Sequence, residues 1–200
     1  AKIGETTFSV ISPGNNAVTL AEDEVASAAG TGGNLLTNDG AGAGDTLAIT
    51  GWSAGSTSLA AGAAFTSAAL YGAVVTINAD GSWTVDASGT DALAAGQTVS
   101  QTFSYTVLQS NVDGSSTQTA SFTVTITGTN DAAIITGQSS AALTESDAAQ
   151  TIGGDLNATD VDGPATFTAQ TGTAGSNGHG SFSIDTAGTW TYTMNSAHDE

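Results

Sequence analysis

Apolar residues alternate with Ser and Thr in several short runs of this chain. The clearest are Val74-Val75-Thr76-Ile77, Ser82-Trp83-Thr84-Val85, Thr102-Phe103-Ser104-Tyr105-Thr106-Val107 and Ser121-Phe122-Thr123-Val124-Thr125-Ile126. Two more follow at Ser181-Phe182-Ser183-Ile184 and Thr189-Trp190-Thr191-Tyr192-Thr193. A period of two puts one face of each run in a core and the other in water, which predicts half-buried antiparallel strands. Asn78-Ala79-Asp80-Gly81 and Asn111-Val112-Asp113-Gly114 are tight-turn sequences, because Gly adopts positive φ without strain and Asn and Asp tolerate it. Helix signals are sparse. Ala92-Leu93-Ala94-Ala95 reads as one helical turn capped by Gly96, and the Ala-rich stretch 58–69 reads either way. The pattern predicts an all-β chain.

The runs also repeat. Val75-Thr-Ile-Asn-Ala-Asp-Gly-Ser-Trp-Thr-Val85 returns as Phe182-Ser-Ile-Asp-Thr-Ala-Gly-Thr-Trp-Thr-Tyr192, an offset of 190 − 83 = 107 residues. Glu22…Gly33-Asn34-Leu35…Asp39 aligns with Glu145…Gly154-Asp155-Leu156…Asp160 at a slightly larger offset. A period of one domain length predicts two tandem Greek-key β-sandwiches of the immunoglobulin/cadherin-like kind. The division read from the sequence is an N-terminal strand in residues 1–15, a first repeat in 16–131 and a second in 132–200. Adding 107 to Leu93 reaches residue 200, so nothing in the second repeat matches Ala94–Thr127 and its last strands are expected to be missing. The segment Gly4–Val10 resembles Gly96-Gln97-Thr98 joined to Thr102-Phe103-Ser104, as a late strand of a preceding repeat or a strand for donation would.

Composition narrows the function. One basic residue, Lys2, stands against 19 acidic ones, for a formal net charge of −18. Without Arg the chain has no bidentate grip on phosphate and little counterion release to gain, which argues against nucleic acid as a partner. An anionic membrane surface repels it too, and no apolar run approaches the length of a membrane span, so direct membrane insertion is not expected. Residues 1–10 lack a basic region followed by an apolar one, and read as mature sequence without a signal peptide. With no Cys, neither disulfides nor thiol chemistry enter. An acidic excess of this size either keeps an extracellular protein soluble or is balanced by oxygen-ligated divalent cations, calcium above all.

The motif order adds a family resemblance. Glu22-Asp23-Glu24, Gly33-Asn34-Leu35-Leu36-Thr37-Asn38-Asp39, Gly44-Asp45-Thr46-Leu47-Ala48-Ile49, the Asp80–Trp83 hairpin, Phe103–Val107 and Val124–Ala133 follow one another as in bacterial cadherin-like repeats. Asp160-Val161-Asp162-Gly163 and Gly188-Thr189-Trp190-Thr191-Tyr192 resemble the VCBS type. Both belong to giant surface adhesins of bacterial biofilms, and the likeness runs from about Asn16 onward. It implies a secreted or cell-surface chain of end-to-end sandwiches, partnered by neighbouring repeats or subunits and in some members by extracellular polysaccharide. Calcium at inter-repeat junctions is implied as well. Six to eight hard oxygens suit that ion, and loop Asp, Glu and Asn supply them. The junction set is Asp160, Asp162, Asn130 and Asp131, completed by Glu22 or Glu24. Asn38, Asp39 and Asp45 form the equivalent set at the N-terminal end of the first repeat, and Glu145 and Asp147 would face a following one. The same residues also serve as turn formers, so both roles stay open.

Catalytic signals do not rise above chance, and no enzyme is expected. Gly51-Trp52-Ser53-Ala54-Gly55 matches a nucleophile-elbow pattern, which needs a strand-to-helix turn in a parallel sheet that nothing here predicts. Gly30-Thr-Gly-Gly33 lacks the Lys of a phosphate loop, and the isolated His179 and His198 do not make a zinc site. Trp83 and Trp190 read as core, while Trp52 is freer to stack on a sugar. The expected function is a structural or adhesive repeat module stiffened by calcium. The alternatives are a filament subunit in which residues 1–12 complete a neighbour, and a calcium-dependent polysaccharide-binding module.

Overall fold

Every alternating run of the first repeat forms a strand. In the computed structural model, which describes residues 8–144, 146 and 148–195, the strands of the first part are β1 (Asn16–Ala21), β2 (Val25–Ser27), β3 (Thr46–Ala54), β4 (Thr57–Ala60), β5 (Ala64–Thr66), β6 (Val74–Ile77), β7 (Trp83–Asp86), β8 (Thr98–Asn111) and β9 (Gly114–Thr127). They make a five-stranded sheet, β1-β9-β8-β3-β4, and a four-stranded sheet, β2-β7-β6-β5. β10 (Ile134–Gly137), β11 (Gln150–Thr159), β12 (Gln170–Ala174), β13 (Gly180–Ile184) and β14 (Thr189–Met194) make a third sheet, β10-β11-β14-β13-β12. The chain divides into two units, Ala1–Thr129 and Asn130–Glu200.

Unit 1 is a two-sheet sandwich, and its turn chemistry explains its pairings. Asn78–Gly81 closes the β6–β7 hairpin with Gly81 at φ 79°, and Asn111–Gly114 closes the long β8–β9 ladder. Inward residues from both sheets build the core, among them Val18, Leu20, Phe103, Tyr105, Phe122 and Val124 from one sheet and Val75, Ile77, Trp83 and Val85 from the other. In β3 the inward set changes phase, from Ile49 to Trp52 and Ala54, because the register with β8 slips between Ile49 and Gly51. A bulge of one residue is what lets both halves of that strand face the core. β1 joins the sheet by pairing in parallel with β9, Asn16 opposite Phe122 through Ala21 opposite Thr127.

Two Ala-rich segments depart from a helical reading. Residues 91–96 form turns in place of the expected helical turn at Ala92–Ala95; Leu93 is fully buried and Gly96 N–H donates to Gly128 O at 2.9 Å. Tertiary burial overrides the local preference of Ala there. The stretch 58–69 holds β4, β5 and the start of a 3₁₀ turn at Ala68–Leu70. Gly30–Gly33 packs on Trp83: a Cβ at Gly32 would come within 2.3 Å of Trp83 Cζ2, and the indole N–H donates to Gly33 O at 2.9 Å.

Unit 2 is a single sheet among the described residues. Its β13–β14 hairpin reproduces β6–β7, with Trp190 in the place of Trp83, and β11 runs along β14 as β2 runs along β7. No described residues of unit 2 form counterparts of β8 and β9.

Candidate functional site

Carboxylates gather where β1 leaves the sandwich. Glu22 N–H donates to Thr127 O at 2.9 Å and Asp23 N–H to Ala87 O at 3.1 Å, while Ala87 N–H donates to Glu24 O at 2.9 Å. The Glu22–Glu24 turn is thus stitched between the end of β9 and the loop after β7. Asp23 sits at φ 63°, a left-handed conformation that Asp tolerates better than most residues. Glu22 is 2% exposed. Its Oε1 accepts from Thr129 N–H and from Thr129 Oγ1, whereas its Oε2 is buried with no hydrogen-bond partner. Asp91, on the loop after β7, lies close enough for its charge and side chain to act on the Asp23 carboxyl. The Asp23 carboxyl is held above its ordinary value, first by desolvation and then by the negative charges of Asp91 and Glu22. Glu24 is turned to other work, its Oε2 accepting from Ala21 N–H at 2.9 Å.

The opposite end of β1 carries a second such carboxylate. Six residues of strand set the two ends about 20 Å apart. Asp39 is 1% exposed; its Oδ1 accepts from Gly14 N–H at 3.0 Å and its Oδ2 is buried with no hydrogen-bond partner. Asn38 adds an amide that, turned over to suit its neighbours, donates to Leu35 O and Asp39 Oδ1 at 3.1 Å each. Desolvation raises Asp39, only partly offset by the Gly14 N–H. The phenol of Tyr105, which donates toward Gly14 O and Leu35 O and accepts from Asn16 Nδ2 at 2.8 Å, is pushed up to about 12, by burial first and by the Asp39 charge second. Asp45 stands apart from this pair. Its Oδ2 accepts from Gln109 Nε2 at 2.7 Å and Gly42 N–H at 2.9 Å, its Oδ1 from Asn111 Nδ2 at 2.6 Å, and these donors lower it.

Unit 2 places its own acids at one end of the β10–β11 pair. Ile134 opposite Thr159 closes that ladder, so Asp131 on one strand and Asp160 to Asp162 on the other continue off the same end. Asp160 Oδ1 caps the turn, accepting from Asp162 N–H at 3.3 Å and Gly163 N–H at 2.9 Å. Asp162 Oδ1 is buried without a hydrogen-bond partner, and Asn130 Nδ2 donates to Asp131 O. Glu145, Asp147 and His198 lie outside the described residues. Among the described residues, no three or more His, Cys, Asp or Glu side chains gather tightly enough to form a metal centre by themselves. A hard cation at any of these ends would draw on backbone, amide and hydroxyl oxygens too, as calcium readily does. Glu22, Asp39 and Asp162 fit that use and Asp45 does not, since its oxygens are already engaged. Asp91 carries no sequence signal that singles it out, and it reaches the site from 69 positions beyond Glu22 (91 − 22).

The raised carboxyls make a pH prediction with a definite sign. A folded-state pKa above the ordinary 3.8 means the native state binds the proton more tightly, so the contribution is present at low pH and is lost as pH rises through the folded pKa. Asp39→Asn keeps an acceptor for Gly14 and removes the charge. In chelator, its stability in urea should gain on that of the unaltered chain as pH rises from 3.8, and it should melt at a higher temperature than the unaltered chain at neutral pH. Identical pH profiles would mean that Asp39 ionises at no cost.

The other sites weighed in the sequence resolve plainly. Ser53 lies inside β3, which turns at Gly55 into β4 and not into a helix. Trp52 is 3% exposed, edge-on to Phe103 at 5.7 Å between ring centroids, so its ring faces are not offered to a sugar. No helix among the described residues is long and apolar enough to cross a membrane.

Comparison with known proteins bears on unit 2 first. Residues 130–200 match the family described as a bacterial Ig domain. This supports a bacterial Ig-like repeat and leaves the cadherin-like or VCBS type undivided. Among solved structures, the I-band fragment I67-I69 from titin is 12% identical with a TM-score of 0.26, over 94% of this chain and 55% of that one. An E-to-A mutated variant of the same three titin domains is 13% identical with a TM-score of 0.26, over 94% and 54%. The chain spans about half the length of these titin fragments, and scores of this size carry no argument. No curated protein matches the chain.

Proposed function

We propose that this chain is a structural or adhesive repeat module of a secreted bacterial surface or biofilm protein, stiffened by calcium bound at the acidic ends of its units. The observation that carries the reading is the buried, unpartnered oxygen at each end of unit 1, Glu22 Oε2 and Asp39 Oδ2. Leaving a carboxylate oxygen buried without a donor is costly, and a divalent cation relieves the cost where further water-borne or protein donors do not. Asp23 and Asp91 extend the Glu22 end, where one cation would offset the repulsion between these carboxylates. Bacterial Ig-like domains are typically structural modules without catalytic activity, and nothing around Ser53 suggests otherwise. The cadherin-like motif order supports the same reading from the sequence side.

Calcium in this role does no chemistry. It neutralises like charges that repel one another, and a net charge of −18 makes that repulsion large at low ionic strength. The test is small-angle scattering of the full chain in calcium and in chelator. A pair-distance distribution that sharpens in calcium at constant mass supports stiffening. Superimposable profiles overturn it.

A filament assembled by donation of residues 1–12 is the second reading. Residues 1–7 of that stretch lie outside the described part. The remainder is engaged in unit 1: Ile11 is buried, its N–H donates to Gln109 Oε1 at 3.0 Å, and Gln109 Nε2 donates to Ser9 O at 2.9 Å. Donation would require releasing these contacts, which favours the spacer.

A further inference from the structure

The turn that joins β12 to β13 carries Asn177-Gly178, and no other asparagine of the chain is followed by glycine. Gly175 N–H donates to Gly180 O and Gly178 N–H to Gly175 O, each at 2.9 Å, which closes the turn with Gly178 at φ 76°, where glycine rests without strain. Asn195 ties the far side, its N–H donating to His179 O at 3.0 Å and its Nδ2 to Gly178 O at 3.1 Å. The Asn177 side chain takes no part in this. It is exposed, and no described residue hydrogen-bonds it.

The hairpin turns of unit 1 hold their asparagines differently. Asn78 Nδ2 donates to Ser82 Oγ at 3.0 Å. Asn111 uses both ends of its amide, donating to Asp45 Oδ1 at 2.6 Å and accepting from Asp113 N–H at 2.8 Å. Each is followed by a residue with a side chain, Ala79 or Val112, whose Cβ crowds its own backbone nitrogen. Gly178 carries no Cβ, and the space where one would stand is open to 4 Å. Asn177 is therefore the asparagine whose amide carbon is unclaimed and whose following nitrogen is unshielded.

We propose that Asn177 is a site of spontaneous deamidation in the folded chain, with water as the co-reactant. When the turn opens and Gly178 N–H leaves Gly175 O, the deprotonated Gly178 nitrogen attacks Asn177 Cγ. A C–N bond forms, the Cγ–Nδ2 bond breaks, and the amide nitrogen departs as ammonia with the proton that Gly178 lost. The five-membered succinimide then takes up one water at either of its carbonyls and opens to aspartate or isoaspartate. Either product adds a negative charge. Isoaspartate also lengthens the main chain by one carbon, inside the turn that sets Ala174 opposite Ser181. Register in a hairpin is fixed by its turn, so β12, at the edge of its sheet, loosens. The change runs one way and marks the age of the folded chain. It is independent of calcium and of the role proposed above.

The test incubates the full chain, folded, in water labelled with heavy oxygen and maps its peptides by mass spectrometry with fragmentation that separates aspartate from isoaspartate. Conversion should begin at Asn177, take up one labelled oxygen and yield both products. Its rate should rise about tenfold per pH unit, because the attacking nitrogen is the deprotonated one. Asn177→Gln, which would have to close a larger ring, should stay unconverted over the same period. In the aged chain the β12 and β13 amides should exchange about tenfold faster, as a loosened edge strand does. Asn177→Asp adds the charge without the extra carbon and should match the fresh chain. A folded chain that keeps Asn177 intact while the urea-unfolded chain converts overturns the proposal. So does conversion of Asn78 or Asn111 at the same rate, or a product that is aspartate alone. An Asn177→Asp chain as loose as the aged one overturns the assignment of the loosening to the lengthened backbone.

Discussion

Trp83→Ala lowers the stability of unit 1 by about 3–5 kcal/mol, the range for deleting a large buried aromatic, and drops its melting temperature by about 10–20 °C. The indole is 1% exposed, lies against Phe122 and makes the hydrogen bond that ties Gly33 to the sheet. Nothing nearby collapses easily into the void. The Ala28–Gly32 turn is held by its strand on one side, and Gly32 has no side chain to offer. Trp190→Ala should cost unit 2 visibly less, because Trp190 borders an open face and truncating it enlarges a space already reached by water. Hydrogen exchange of β6 and β7 against β13 and β14 in the two variants measures the difference. Equal losses would mean that the unit 2 face is covered in solution.

The second large effect is calcium-dependent. An ion that binds only the folded state stabilises it by about 2.7 kcal/mol at a hundred times its dissociation constant. Glu22→Gln keeps an acceptor for Thr129 but removes the charge and sets an amide where Oε2 lies. It should abolish most of the calcium-dependent rise in the melting temperature of unit 1 while shifting the melt in chelator by only a few degrees. Asp91→Asn should weaken the calcium effect in the same direction, through Asp23. A Glu22→Gln chain that still gains full stabilisation would move the ion away from this end. Salt alone separates this from general screening, which sodium at matched ionic strength reproduces and a bound ion does not.

Much of the fold is legible in the sequence, and the illegible parts have a common cause. The β6–β7 and β8–β9 hairpins announce themselves because alternation and turn chemistry are local, and Asn78–Gly81 and Asn111–Gly114 are sufficient to register them. β1 beside β9 is a different matter. A parallel pair has no connecting turn, and residues 16–21 meet 122–127 only through the finished sandwich. The phase change in β3 is hidden because Thr50-Gly51 looks like ordinary strand sequence, and only the slip against β8 reveals the bulge. Leu93 defeats the helical reading of its Ala-rich neighbours because its burial is decided elsewhere in the chain.

The acidic residues divide in the same way. Sequence reasoning finds Glu22, Asp39 and Asp162 as carboxylates on loops, and it groups Asp45 with Asn38 and Asp39 by proximity in the chain. The fold separates them: Asp45 is consumed by Gln109, Asn111 and Gly42, while Asp39 turns toward Gly14 and keeps one buried oxygen without a partner. Distinguishing a carboxylate that caps a turn from one that lacks a partner needs the donors, and those come from strands far along the chain. Asp160 caps its own turn, while Asp162 beside it keeps one buried oxygen without a hydrogen-bond partner.

Calcium binding by the full chain is the most direct measurement of the central claim. Titration calorimetry of metal-free protein with calcium at physiological ionic strength should give a saturable isotherm that magnesium does not reproduce at equal concentration, and the Glu22→Gln chain should lose one class of sites. Heats no larger than dilution, with the same melting temperature in calcium and in chelator, would contradict it.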